Sequence, residues 1–196
     1  LTINRYWLAM KLNKKVFLAY KLLNSSFTGL SIGILFTIYQ PLDPSIYSIG
    51  GMFLAVGMLM LAKFYDKILN IKSFFKISLL VELVMLLTII TFLLLQYSLT
   101  SALLIYCGYQ LTFIFGGYLV RAETLVAKDK EFLGKIDVNK QLGYLVGLGA
   151  SYLYYKALKY GFEITEAKVQ ITILHYFLIS LQALIILLLV GSFSKK

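Results

Sequence analysis

The sequence predicts an all-α, polytopic membrane protein with six transmembrane helices and both termini in the cytoplasm. Three observations carry this. Of 196 residues, 60% are hydrophobic and only 14% charged, with a mean hydropathy of +0.82. Apolar runs long enough to cross a bilayer recur along the chain, separated by short polar gaps. Finally, the 19 Lys and Arg residues gather in every second gap, the pattern left by the positive-inside rule. The expected organisation is a cytoplasmic segment at 1–15, a transmembrane domain at 16–191 and a cytoplasmic tail at 192–196.

The stretch from Tyr47 to Lys76 holds the pattern in miniature. Ser48 to Ala62 is uncharged and contains Gly50, Gly51 and Gly57. It stops in a turn bearing Lys63, Asp66, Lys67, Lys72 and Lys76, and a new apolar run begins at Ile77. Two apolar helices joined by a cationic turn form a membrane hairpin whose turn faces the cytoplasm.

In chain order, residues 1–15 hold Arg5, Trp7, Lys11, Lys14 and Lys15, a cytoplasmic segment suited to the membrane surface. The chain starts at Leu1, read as a fragment or a non-standard start, with Met10 as an alternative beginning. No small-residue cleavage site follows the first apolar run, so no cleavable signal peptide is expected. Span one covers about 16–39, with Lys21 near its inner end; Asn24, Thr28 and Ser31 share one helical face and are expected to look toward other helices or a cavity. The turn Gln40 to Ser45 holds both prolines and no cation, and lies outside.

Span two covers about 46–63. Span three, about 75–96, is the most lipid-like except for Glu82. Span four, about 100–120, ends at Arg121, and residues 121–140 read as a longer cytoplasmic loop with Lys128, Lys130, Lys135 and Lys140. In span five, about 140–158, Gly143, Gly147 and Ser151 recur every four residues, a seam that admits a close helix partner from this chain or another. Lys156, Lys159 and Lys168 fall in the next, outer gap, and span six covers about 170–191. The expected inner gaps hold sixteen of the 19 basic residues. A net charge of +10 distributed in this way argues against a nucleic-acid face.

Few residues can carry chemistry. One cysteine, Cys107, excludes an internal disulfide, and the single histidine, His175, reads as a packing or interfacial group near a helix end. No metal-binding motif or nucleophile–base pattern occurs in the spans, and the glycine-rich stretch at 50–57 lies inside span two, so neither enzyme activity nor a cofactor is expected. Glu82 is the one acidic group well inside a span. Snorkelling, or pairing with Lys21 or Lys72, is weighed against a proton-coupling role. In span four Tyr106, Gln110, Phe113, Gly117 and Arg121 share a face, read equally as the wall of a solute path and as an interhelical hydrogen-bond seam.

The turn between spans two and three reads A-K-F-Y-D-K-I-L-N-I-K from Ala62 to Lys72. It resembles the G-x-L-A-D-R-x-G-R-K pattern of the major facilitator superfamily. Asp66 and Lys67 fit its D-R pair, Ala62 replaces the first glycine, and the second glycine is missing. The chain is thus similar to one six-helix half of that family. The resemblance implies that Asp66, Lys67 and Arg121 form a cytoplasmic switch, with Asp66 and Arg121 meeting. It also implies that spans one and four bring Asn24, Thr28, Tyr106 and Gln110 to a central cavity for a small solute. The family's glycine–proline signature in the fifth helix is absent.

Alternating access needs two bundles, so the chain is expected to pair with itself or with a partner half. The expected setting is the cytoplasmic (inner) membrane and its lipid bilayer. Two alternatives stand beside this one: a six-helix substrate-binding subunit of a larger importer, and a non-transporting scaffold or remnant.

Overall fold

The computed structural model describes residues 10–195, so Arg5, Trp7 and Lys196 lie outside the described residues. The chain there is almost entirely helical. Its helices are α1 (Lys14–Ser31), α2 (Ile34–Ile38), α3 (Pro44–Ala62), α4 (Tyr65–Ile68), α5 (Ile71–Leu95), α6 (Leu99–Ala127), α7 (Lys130–Gly161) and α8 (Ala167–Gly191). Two short strands, β1 (Met10–Leu12) and β2 (Phe193–Lys195), pair antiparallel and were not anticipated.

Side-chain caps set most helix starts. Asn13, Asp43, Asn70, Ser98 and Asp129 each accept a hydrogen bond from a backbone N–H in the first turn they precede. Such caps occupy N–H groups that the helix itself leaves free. Pro44 follows Asp43 in the first turn of α3, where its missing N–H costs nothing. The helix breaks at Ile32 and Gly33, which separate α1 from α2.

The long helices pack side by side, with α2 following α1 in one stretch of chain. One end of the bundle gathers β1, β2, the α3–α5 turn and the α6–α7 turn. There Phe17 packs on Phe74, Phe132 and Phe193 at ring-centroid distances of 6.0, 6.4 and 6.1 Å. At the other end Tyr97 donates to the Lys168 carbonyl at 2.9 Å.

Four helices are long and apolar enough to cross a membrane: α3, α5, α6 and α8. These four helices make the chain compatible with a membrane protein. Three lysines keep α1 out of that group, and α7 is kept out by its charged first third and, beyond it, by its glycines, tyrosines and Lys156.

Two expectations are corrected. Residues 121–140 do not form a loop: α6 continues to Ala127 and α7 starts at Lys130. The turn is only Lys128, at φ 64°, and the capping Asp129. Nor does α5, the most apolar of the four, lie at the lipid-facing edge. It is central, packing on α6 and α8 with Phe74, Ser78, Glu82, Thr88, Ile89 and Phe92 buried. The most exposed is α3, whose only buried residue is Gly50 and whose Met52, Phe53 and Leu59 are 62%, 70% and 60% exposed.

The tightest packing joins α1 and α7. A Cβ at Gly143 would fall on the carbonyl oxygen of Leu22, one at Gly147 on that of Ser26, and one at Gly29 on that of Tyr144. The two backbones therefore touch, as small residues permit between membrane helices. The partner of the small-residue seam is thus α1 of the same chain. Side by side, the helices run α7, α1, α8, α5, α6, α3, and α6 also meets α7 beside their connecting turn.

Gly147→Leu should destabilise the folded protein by about 3 kcal/mol or more, since neither backbone can yield to the added volume. Gly149→Leu, where nothing lies within 4 Å of an added Cβ, should leave the unfolding transition in place. Thermal unfolding in detergent distinguishes the two.

The α6–α7 turn predicts a pH effect. Lys14, 2.7 Å from Asp129, and the Phe132 N–H hold the Asp129 carboxyl below the usual carboxylate range. Its contribution is therefore present above the unfolded value and is lost as pH falls through the lowered folded value. Hydrogen exchange at 130–133, corrected for intrinsic rates, should show the start of α7 fraying in acid. Asp129→Asn, which still caps, should remove that dependence.

Candidate functional site

Two polar clusters are buried where α1 meets its neighbours. In the first, Glu82 of α5 is 2% exposed and lies near the middle of its 25-residue helix. The Tyr20 hydroxyl and the Asn24 amide of α1 donate to its Oε1 at 2.7 and 2.6 Å. From α8, Gln182 Nε2 donates to its Oε2 at 2.8 Å and to its carbonyl oxygen at 2.9 Å. Three helices are joined through one carboxyl. An ionisable group in an apolar bundle is costly unless other polar groups surround it, and here three neutral donors do so.

The second cluster is ionic. Glu123 of α6, only 3% exposed at its side chain, pairs with Lys21 of α1 through one oxygen and Lys140 of α7 through the other. The lysines are themselves 12% and 27% exposed, so water screens this triad weakly. Lys21 also lies 5.3 Å from the Phe17 ring centroid and 5.2 Å from that of Tyr20. The triad ties α1, α6 and α7 near the end that holds the two strands.

The four residues implied for a central cavity are not brought together. Asn24 is committed to Glu82. Thr28 is exposed, and its hydroxyl bonds back to the Asn24 carbonyl at 3.2 Å. Tyr106 is buried against Tyr39 and Tyr47, at centroid distances of 5.6 and 5.5 Å. Gln110 lines a groove of about 330 Å³ between α3 and α6, together with Gly50, Phe53, Tyr106, Cys107 and Ile114. Tyr20 and Asn24 of α1 turn to the Glu82 carboxyl, whereas Tyr106 and Gln110 of α6 turn to α3. The two α6 residues share a groove, and the two α1 residues do not join them there.

The implied switch is also rearranged. Asp66 and Lys67 are exposed, and no ion pair joins Asp66 to Arg121 among the described residues. Arg121 instead donates to the Tyr65 hydroxyl at 3.3 Å and the Gly117 carbonyl at 3.2 Å. Tyr118 fastens the same turn by donating to the Ile68 carbonyl at 2.8 Å. Aromatic residues thus hold the α3–α5 turn to α6. Of the seam residues, Gly143 and Gly147 face α1, while Ser151 is half-buried further along α7.

Glu82 does not snorkel, and its hydrogen-bond partners are Tyr20, Asn24 and Gln182, not a lysine. Lys21 pairs with Glu123 instead. Reading the sequence missed Tyr20, Glu123 and Gln182. Gln182, a lone amide in the apolar stretch of span six, was the available signal. Glu123 was hidden because it was assigned to a loop. His175 lies within α8, not at its end; it stacks on Phe92 at 3.8 Å and its Nδ1 bonds with the Ile171 carbonyl at 2.8 Å. Among the described residues no three His, Cys, Asp or Glu side chains group as metal ligands.

Glu123→Gln should lower stability by about 3 kcal/mol, because two half-buried lysines lose their buried carboxylate. Asp66→Asn, at an exposed side chain, should leave the transition unmoved. Parallel melting curves of the purified variants test both. No protein-family model, curated protein or solved structure matches this chain.

Proposed function

We propose that this protein is a half-size secondary transporter of a small solute, built like one six-helix half of a major facilitator and placed in the cytoplasmic membrane. One observation carries the reading. The first pass (α1) packs on the fifth (α7) and sixth (α8); the fourth (α6) packs on the second (α3) and third (α5); the third and sixth pack on each other. Exchanging passes one to three with four to six leaves this list of principal contacts unchanged.

The glycines follow the same exchange. Gly143 and Gly147 of the fifth pass sit against α1, and Gly50 and Gly57 of the second sit against Tyr106 and Ile114 of α6. A repeat of three passes must run opposite to the one before it. Inverted three-helix repeats of this kind are the building unit of major facilitator halves. The excess of Lys and Arg at the end holding both strands supports a cytoplasmic position for that end.

A single bundle has nothing to rock against, so the working form contains a second copy or a partner half. The small-residue face of α7 is filled by α1, and the second half docks on another face. The scaffold and importer-subunit readings are outcomes of the tests.

Topology is tested by single cysteines in a Cys107→Ser background, labelled on intact cells with a membrane-impermeant maleimide. Cysteines at Gln40, Thr100 and Thr165 should react from outside, and those at Lys67 and Lys130 only after permeabilisation. Labelling of 67 or 130 on intact cells sinks the six-span arrangement. Native mass spectrometry from nanodiscs should find a dimer or a bound partner. A strict monomer with no uptake in proteoliposomes leaves the scaffold reading.

A further inference from the structure

The three groups hydrogen-bonded to the Glu82 side chain differ in one respect. Gln182 cannot turn its amide, because the nitrogen that reaches Oε2 also donates to the Glu82 carbonyl, which can only accept. The Asn24 amide donates through its nitrogen in this arrangement and is held by that one bond. The Tyr20 hydroxyl can serve either way without moving its oxygen: it donates to a carboxylate and, rotated about its C–O bond, accepts from a carboxylic acid. Among the described residues no Lys or Arg lies within ion-pair distance of the carboxyl.

The other ionisable groups nearby are engaged or distant. On α1, Lys21 is drawn to Glu123 of α6, which also holds Lys140 of α7. On α8, Gln182 faces the carboxyl, and His175 lies about two turns away, stacked on Phe92. On α5 itself, Lys72 and Lys76 lie toward the basic turn.

We infer that Glu82 is a proton-binding site that sets how firmly α1 is held to α5. A proton from water adds to Oε1. The acid then donates that hydrogen to the Tyr20 oxygen, and the phenol hydrogen turns away. On release the proton returns to water and Tyr20 donates again. Gln182 keeps both its bonds throughout, so α8 stays fastened to α5 in either state. The bond from Asn24 weakens, because its acceptor has become the hydroxyl of an acid. Protonation therefore loosens α1 alone. The site rests on the transporter reading and deepens it by making the proton the coupled ion. At mid-helix in α5 it lies at the depth where coupling ions bind in secondary transporters.

Infrared difference spectra of the full chain in nanodiscs, recorded across a pH titration, test this. A carboxylic C=O band should appear on acidification, be lost in Glu82→Gln and move in Tyr20→Phe. A folded Glu82→Gln protein that keeps every titrating carboxyl band overturns the site. Should Glu82→Gln not fold, Tyr20→Phe made with 13C-labelled glutamate decides: a displaced band supports the site and an unmoved one overturns it. The titration needs no solute. A Glu82 band in a protein that moves nothing sinks the transporter reading and leaves the proton site. Uptake unaltered in a Glu82→Gln protein with all its bands sinks the site and leaves the transporter.

Discussion

Backbone-to-backbone contact between α1 and α7 is the constraint on which the bundle depends. Gly29, Gly143 and Gly147 leave the Leu22, Ser26 and Tyr144 carbonyls no room for a side chain opposite them. At that separation dispersion is gained along the whole seam, and without a strong hydrophobic drive between helices this is the main source of association in lipid. The contact also fixes the rotation of α1 about its axis. Once its small-residue face is given to α7, Tyr20 and Asn24 turn toward α5 and α8.

Polar groups then specify what close packing begins. The Glu82 cluster joins α1, α5 and α8, and the Glu123 triad joins α1, α6 and α7. Buried ion pairs add little net stability but are severely disruptive when half removed, so they select one arrangement over its competitors. Every one of these contacts uses α1 or reaches it through one residue. A helix with three lysines, an asparagine and several hydroxyls in 18 residues can remain in an apolar bundle because Lys14, Tyr20, Lys21, Asn24, Ser26 and Thr28 each have a polar partner.

The edges of the row differ from its centre. α3 touches little beyond α6 and exposes Met52, Phe53, Val56 and Leu59, while α7 exposes Leu145, Val146 and Leu153. Continuous apolar faces of this size are unfavourable in water and unremarked in lipid. At the strand-bearing end, Arg121, Tyr65 and Tyr118 hold the α3–α5 turn to α6. Asp66 and Lys67, the residues that resemble a D-R pair, are exposed in that turn.

What could be read in the sequence is what depends on neighbours along the chain. Apolar run length, helix caps such as Asp43 and Asn70, the prolines of the 40–45 turn and the gathering of lysines are local. They determined a helical, membrane-compatible chain and the position of most of its turns. The loop expected at 121–140 failed because charge was taken for irregularity. Apart from Lys128 and Asp129 in the turn, those charges lie on helix faces, and Glu123 and Lys140 are turned inward to one another.

The site was decided by tertiary structure. Glu82 meets Tyr20 and Asn24 across separations of 62 and 58 residues and Gln182 across 100. Helical spacing says which residues share a face, but not which face another helix covers. That choice belonged to the glycines of α1 and α7, because only where backbones can touch is a helix's rotation settled, and with it the partners of every polar group it carries.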